Sequence, residues 1–330
     1  MTGTRTAQSA GNLAFASTAL LAVGAGIGMA GQGKANGALA GVLGHGIFSA
    51  TSSFATGLLI MIVIVLAFPA SRRAAAREVS LIRSRRIPWW MLTGGIAGST
   101  IVISQSLTVP IFGVAVFTLS FLSGQLLGAL IVDNTNLPPG GRKPLSTTRI
   151  LGVVIVIAGV IVSSVGSLTG GIAWWAPLLP VVSGILTGFQ QAFNGRIKNA
   201  TRSAVAATTT NFLVGTLFLL LCSGVVAGLV TPLRWEVALP GDWWMFTGGA
   251  LGVIFIGVST AAVTRLGVLM LSMSTLLGNL VGSLLIDVFT GNAAHALAPL
   301  NLLAMLIVVI GALIAALPGR KPGGRTRVEV

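Results

Sequence analysis

Charged side chains divide the sequence into long silent stretches. Asp, Glu, Lys and Arg are absent from 6–33, 35–71, 87–132, 150–195, 203–233, 243–264, 266–286 and 288–319. A helix needs about 20 mostly apolar residues to cross the hydrocarbon core of a bilayer. Six of these stretches hold one such helix each. The two of 46 residues hold two each, split near Val109-Pro110 and near Gly166-Gly171. Apolar residues fall on every face rather than alternating with polar ones, which points to helices and not to barrel strands. The expected spans are 12–38, 44–67, 89–108, 111–133 and 149–167, then 176–197, 203–229, 243–263, 266–287 and 299–317, ten in all.

The spans repeat. Shifting the chain by 154 residues lays 89–133 on 243–287 without a gap, and 17 of 45 positions are identical. "WWMLTGGIAG" from Trp89 returns as "WWMFTGGALG" from Trp243, and Asp133 returns as Asp287. A shift of 158 pairs Gln32 with Gln190 and Asn36 with Asn194, and a shift of 152 pairs Gly159 with Gly311. The chain therefore divides into two five-span units, 1–168 and 169–330. Five is odd, so the second unit enters the membrane from the opposite side.

Charge agrees with that inversion. With the N-terminus in the cytoplasm, 18 Lys and Arg fall on the inner side and two, Lys34 and Arg234, on the outer side. Basic residues hold loops in the cytoplasm, which predicts a multi-pass protein of the cytoplasmic membrane with both termini inside. The connection after the second span carries six arginines, whereas its counterpart in the second unit carries only Arg234.

Composition narrows the function. The chain is 8% charged and 54% hydrophobic, against about 25% and 45–50% for soluble domains. The net charge of +14 lies between spans, so it reads as topology and not as a nucleic-acid surface. Cys222 stands alone inside a span, and His45 and His295 have no acidic or cysteine neighbours at ligand spacing. No metal and no cofactor is expected. No nucleophile–base set or glycine-rich phosphate loop ending in Lys-Ser/Thr is visible, so neither an enzyme nor ATP drive is expected. Inverted repeats are a recurring design of secondary transporters.

The ordered motifs carry a family likeness. "Q…NG" ends the first span (Gln32, Asn36, Gly37; Gln190, Asn194, Gly195), and "F…G" lies in the second (Phe54, Gly57; Phe212, Gly215). "WW…GG..G" opens the third, and "GQLLGALIVD" and "GNLVGSLLID" close the fourth. Each unit resembles the five-span YdcZ-like family of the drug/metabolite transporter (DMT) superfamily. The resemblance implies an all-α, DMT/EamA-like bundle of ten helices. A central cavity would be lined by the first, third and fourth spans of each half, with the fifth peripheral. Superfamily members of the small multidrug resistance type exchange protons through a first-span Glu. Here Gln32 and Gln190 stand in that stretch, so that coupling is not expected.

The candidate residues have two readings. Gly24, Gly28, Gln32 and Asn36 are spaced by four and share a helix face. Gln32, Asn36, Gln190 and Asn194, with Gln105, Gln125 and Asn279, either line a substrate path or bond across helices as glue. Gly94, Gly98, Gly124 and Gly128, with Gly248, Gly252, Gly278 and Gly282, let backbones approach closely. Asp133 and Asp287, the acidic residues shared by the two units, are candidates for coupling or gating. The expected function is alternating-access transport of a small organic molecule, with export favoured by resemblance. A lipid flippase of the same fold and a non-transporting scaffold subunit are the rivals.

Overall fold

The computed structural model of the chain describes residues 2–143, 145–168, 175–291 and 297–317, with side chains from residue 13 onward except at 160, 162–168 and 316. Gly170 and Gly171, Trp174, His295 and the basic tail 318–330 lie outside the described residues. The described residues form nine helices: α1 (Thr2–Leu43), α2 (Gly46–Ala67), α3 (Pro69–Arg83), α4 (Gly94–Asp133), α5 (Thr147–Leu168), α6 (Leu178–Thr201), α7 (Ala204–Leu229), α8 (Gly248–Phe289) and α9 (Pro299–Ala316). Each "WWM(L/F)T" segment makes a short 3-10 turn, Trp89–Thr93 before α4 and Trp243–Thr247 before α8. Local chemistry fixes several ends. His45 Nδ1 accepts from Ile47 N at 3.2 Å to start α2, and Ser203 Oγ accepts from Ala206 N at 3.2 Å to start α7.

α4 and α8 each contain two predicted spans. A straight α4 of 40 residues would be about 60 Å long, roughly twice the hydrocarbon core. Both helices instead fold back at a glycine. Gly113 has φ 81° and ψ 175°, and Gly267 has φ 75° and ψ 170°, a region that essentially only glycine occupies. The reversal shows in what each limb meets. Along α4, Gly94 faces Asn194 and Gly98 faces Gln190, but further on Gly124 abuts Val181 and Gly128 abuts Ile185. The first limb thus runs against α6 and the second runs with it. α8 repeats this on α1, with Gly248 at Asn36, Gly252 at Gln32, Gly278 at Val23 and Gly282 at Ile27. The expected break at Val109-Pro110 is corrected to Gly113. Proline is tolerated at Pro110 within the helical stretch, whereas the reversal itself demands a backbone without Cβ.

The most extensive packing joins α1 to α8, α4 to α6, α5 to α9 and α2 to α7. Every pair takes one helix from 1–168 and one from 169–330, so the core is an interlocked joint and not two separate bodies. The matched fourth-span limbs run antiparallel. Ala115 meets Asp287, Thr118 meets Asn279 and Gln125 meets Thr275.

Five segments are long and apolar enough to cross a membrane: Leu13–Leu43, Gly46–Ala67, Trp89–Asp133, Ala204–Leu229 and Trp243–Phe289, two of them the reversed pairs. Thr147–Gly159 and Pro299–Ala315 are shorter apolar stretches. Large apolar side chains face outward, such as Leu59 and Val63 on α2 and Leu217 and Leu221 on α7, which suits a lipid solvent. The six-arginine connection contains α3, a helix that the charge pattern does not announce.

Candidate functional site: a buried polar seam between the halves

Motifs that look independent in the sequence are each other's partners. The "Q…N" amides of one half sit on the third-span glycines of the other: Gln32 on Gly252, Asn36 on Gly248, Gln190 on Gly98 and Asn194 on Gly94. The "F…G" pairs interlock in the same way. Phe54 covers Gly215, Phe212 covers Gly57, and the two rings lie 5.0 Å apart. A Cβ would overlap an amide or a ring at Gly57, Gly98, Gly215, Gly248 and Gly252, and would press on Asn194 at Gly94.

Hydrogen bonds complete the joint. Asn36 Nδ2 donates to Gln105 Oε1 at 2.9 Å, and Gln105 Nε2 donates to Met29 O at 3.5 Å. In the other copy Gln190 Nε2 donates to Asn211 Oδ1 at 3.2 Å, and Asn211 Nδ2 donates to Asn194 Oδ1 at 3.3 Å. Sequence reasoning does not single out Asn211. Its signal is position, next to Phe212 and opposite Ser53 in the 158-residue alignment. Gly28 packs loosely on Leu251, and a Cβ at Gly24 would meet nothing within 4 Å among the described residues.

A second polar cluster lies where the fourth-span limbs face each other. Gln125 Nε2 donates to Thr275 Oγ1 at 3.5 Å, Thr118 Oγ1 donates to Asn279 Oδ1 at 3.5 Å, and Ser272 Oγ donates to Gln191 Oε1 at 3.4 Å. These contacts stand at the outer limit of a hydrogen bond. Among the described residues, Asn279 Nδ2 and Gln191 Nε2 are buried donors with no partner, and each such group costs about 1–3 kcal/mol. The "Q…N" amides are also incompletely paired, with the acceptors Asn36 Oδ1 and Gln190 Oε1 buried without a partner among the described residues, whereas around Gln191 and Asn279 it is donors that are left over.

Each reversal is held from the opposite half. Beyond Gly113, Ala115 N donates to Asp287 Oδ2 at 3.1 Å. A carboxylate at the start of a helix meets free N–H groups and the positive end of the macrodipole. Before Gly267, Lys143 Nζ donates to Leu266 O at 3.3 Å, where a cation meets the negative end of the first limb. The repeat pairs Ala115 with Leu269, so symmetry would have Asp133 accept from Leu269 N. Asp133 instead forms an ion pair with Arg149 at 2.9 Å, and its Oδ1 is buried without a partner among the described residues. Arg196 Nη2 donates to Asn136 O at 2.9 Å and Lys198 Nζ to Ala261 O at 2.8 Å. Lys143, Arg149, Arg196, Lys198 and Arg265, which the charge pattern assigns to one side, thus collect at one end of the bundle. His45 serves as a helix cap, and among the described residues no three His, Cys, Asp or Glu side chains gather as a metal would need.

Glu78 on α3 lies outside the sequence expectations. It is 3% exposed, and burial raises its carboxyl above the usual range while a hydrogen bond with Thr210 opposes the shift. The signal is present in the spacing: Glu78 and Ser71, both buried on α3, are seven residues apart and so share a helix face.

Interlocked apolar helices, glycine reversals and a buried amide seam define the class, an all-helical multi-pass membrane protein. The family model described as "Putative inner membrane exporter, YdcZ" matches residues 17–162 and again 175–314. The chain belongs to this family, a branch of the DMT transporters, and holds two of its units in tandem. None of the curated proteins matches it. A solved structure described only as "Crystal structure of protein" aligns with 93% of this chain and 99% of its own, with a TM-score of 0.62 and 19% identity. That likeness is one of fold.

Proposed function

We propose that the chain exports a small organic molecule across the inner membrane by alternating access, through ten spans arranged as two inverted halves, 1–168 and 169–330. Both termini lie in the cytoplasm, so the basic end of the bundle is the inner mouth. The observation that carries this reading is the antiparallel contact of the matched fourth-span limbs, with one glycine reversal at each end. Rocking at Gly113 and at Gly267 would open the two ends in turn, because each limb is held by the opposite half.

The substrate path runs beside Gln125, Gln191 and Asn279, whose loosely bonded amides suit an acceptor oxygen on the cargo. Gln32, Asn36, Gln105, Gln190 and Asn194 act chiefly as the joint, seated on glycine. Asp287 gates one end through its contact beyond Gly113, and Asp133 gates the other through its ion pair with Arg149. A lipid flippase is the second reading. A lateral apolar groove of about 480 Å³ between α1, α8 and α9, lined by Leu20, Val23, Met270, Met273, Leu277 and Leu313, favours it.

The test compares small molecules and lipids inside and outside cells overproducing the wild type, Gln125→Leu/Asn279→Leu, or Gln32→Leu/Gln190→Leu at matched membrane abundance. Export lost in the first variant is expected, with the second variant harder to accumulate in the membrane. Movement of a lipid alone selects the flippase. No compound shifted by the wild type removes the transport reading and leaves a scaffold.

A further inference from the structure

The basic end of the bundle contains a cavity that the joint does not use. It measures about 290 Å³ and is lined by Thr18 and Leu21 of α1, Lys198 of α6, and Val258, Ala261, Ala262 and Arg265 of α8. We propose that it takes an organic anion with an apolar body, its carboxylate or phosphate head between Lys198 and Arg265 and its body along Leu21, Val258 and Ala262. The inference deepens the export reading by naming the charge class of the cargo at the inner mouth, and it rests on that reading for direction.

The two cations are held but not neutralised. Lys198 Nζ donates to Ala261 O at 2.8 Å and to Thr264 Oγ1 at 2.6 Å. An ammonium carries three donors, so one remains. Arg265 Nη1 reaches Thr18 Oγ1 at 3.5 Å, which leaves most of a five-donor fork free. Among the described residues the ion pairs are Arg149 with Asp133 and Arg234 with Glu236, and neither involves this pair. Burial, and then the Arg265 charge, hold Lys198 below the usual ammonium range. A bound anion would counter the repulsion from Arg265 and favour the charged ammonium.

The internal repeat supplies a control. At the offsets that align the halves, Lys198 corresponds to Ala40 and Arg265 to Ile111. The fold therefore builds the equivalent wall at the opposite end without charge. Keeping loops in the cytoplasm requires basic residues at this end, but it does not require two of them facing one cavity among apolar side chains. The cavity is walled by α1, α6 and the first limb of α8 together, so both halves of the chain contribute to it.

The head could belong to a free solute or to an anionic lipid, and one experiment separates them. The full chain is placed in phosphatidylcholine nanodiscs and titrated calorimetrically with octyl phosphate, with octyltrimethylammonium and octanol as controls. Thermal unfolding is then compared in discs with and without phosphatidylglycerol. For a free anion, octyl phosphate binds in preference to both controls. Lys198→Gln/Arg265→Gln weakens it about tenfold or more, the loss of one or two charge-assisted hydrogen bonds, while Lys198→Arg/Arg265→Lys retains it. For a lipid head, the wild type is stabilised by phosphatidylglycerol, the Gln variant is not, and octyl phosphate has no effect. Equal binding of octanol or of the cation overturns the proposal. So does anion binding that survives in the Gln variant, or the absence of any anion effect in either disc. If that happens while cells still export a compound, transport stands and only the charge class falls.

Discussion

The two ends of this bundle are built from the same phrase and fastened differently. At one end Gly113 turns the chain, and Asp287 of the other half caps the limb that follows through Ala115 N at 3.1 Å. At the basic end Gly267 turns the chain in the same way, but Lys143 occupies the space beside it and Asp133 has turned to Arg149. A repeated sequence with identical hinge glycines and identical terminal aspartates thus carries two distinct latches. One includes a carboxylate-to-backbone bond across the halves, and the other has cations gathered around a buried ion pair. On the export reading the ends must open in turn, which calls for unequal latches in any one state.

Breaking the charged latch should have the largest effect. Arg149→Leu leaves the fully buried Asp133 without its ion-pair partner. Uncompensated buried charges cost about 3–5 kcal/mol, so the thermal midpoint of the detergent-solubilised protein should fall sharply. Adding Asp133→Asn should recover part of the loss. A midpoint unchanged by Arg149→Leu would mean that the pair contributes nothing to this end.

The hinges come next. Gly113→Ala and Gly267→Ala each force a side chain into a backbone region that costs about 1–3 kcal/mol. At Gly267 the new Cβ would also push aside Lys143 Nζ, the end of a flexible side chain. Melting curves of the two variants check both losses, and an unchanged midpoint in either would mean that its hinge tolerates a side chain.

How much of this is legible in the sequence differs by residue. The spans are legible because a bilayer imposes a length on apolar runs, and α2 and α7 begin within two residues of their expected starts. The repeat is legible because Gly, Trp and Asp recur at a fixed offset. What each motif touches is not. Gln32 meets Gly252 and Gln190 meets Gly98, contacts across the halves that no local pattern encodes. The aspartates match in sequence yet are fastened differently, and the cause lies in the fifth span. At the 152-residue shift that aligns the fifth spans, Arg149 corresponds to the neutral Asn301. At the aligned position the second half therefore carries an amide where the first carries the guanidinium that pairs with Asp133. Glu78 and α3 escape notice for a different reason. Six arginines in one connection read as a topology signal and hide the helix that carries Arg72, Arg73, Arg77 and Arg83.

Asp287→Asn sharpens the comparison from the other end. The amide keeps an acceptor for Ala115 N but loses the charge that favours a helix start. Losing a helix cap costs about 0.5–2 kcal/mol, and the conservative change should lie at the low end of that range. The matched change Asp133→Asn should act through Arg149 and not through the hinge. In a double-mutant cycle, Asp133→Asn and Arg149→Leu should couple, whereas Asp287→Asn and Arg149→Leu should add independently. Coupling in the second pair would show that the two latches communicate through the limb between them.

A change of the opposite sign, a gain in stability, is expected at Glu78, and it tests whether the basic end is pH-sensitive. Burial lifts its carboxyl above the usual value of 4.5, so over that interval the folded protein holds a proton that the unfolded chain releases. The sign follows from that difference. Stability is lowest above the raised folded value, increases as the pH falls through it, and levels off below the unfolded value. Glu78→Gln removes the charge at every pH, so it should stabilise the protein near neutrality by about 1 kcal/mol, the scale of one poorly satisfied buried polar group. The gain should shrink on acidification, as the wild type takes up its proton and comes to resemble the variant. Melting both proteins across the acidic range checks this directly. Parallel curves would mean that Glu78 stays charged on α3 across the range and that its burial does not govern its proton.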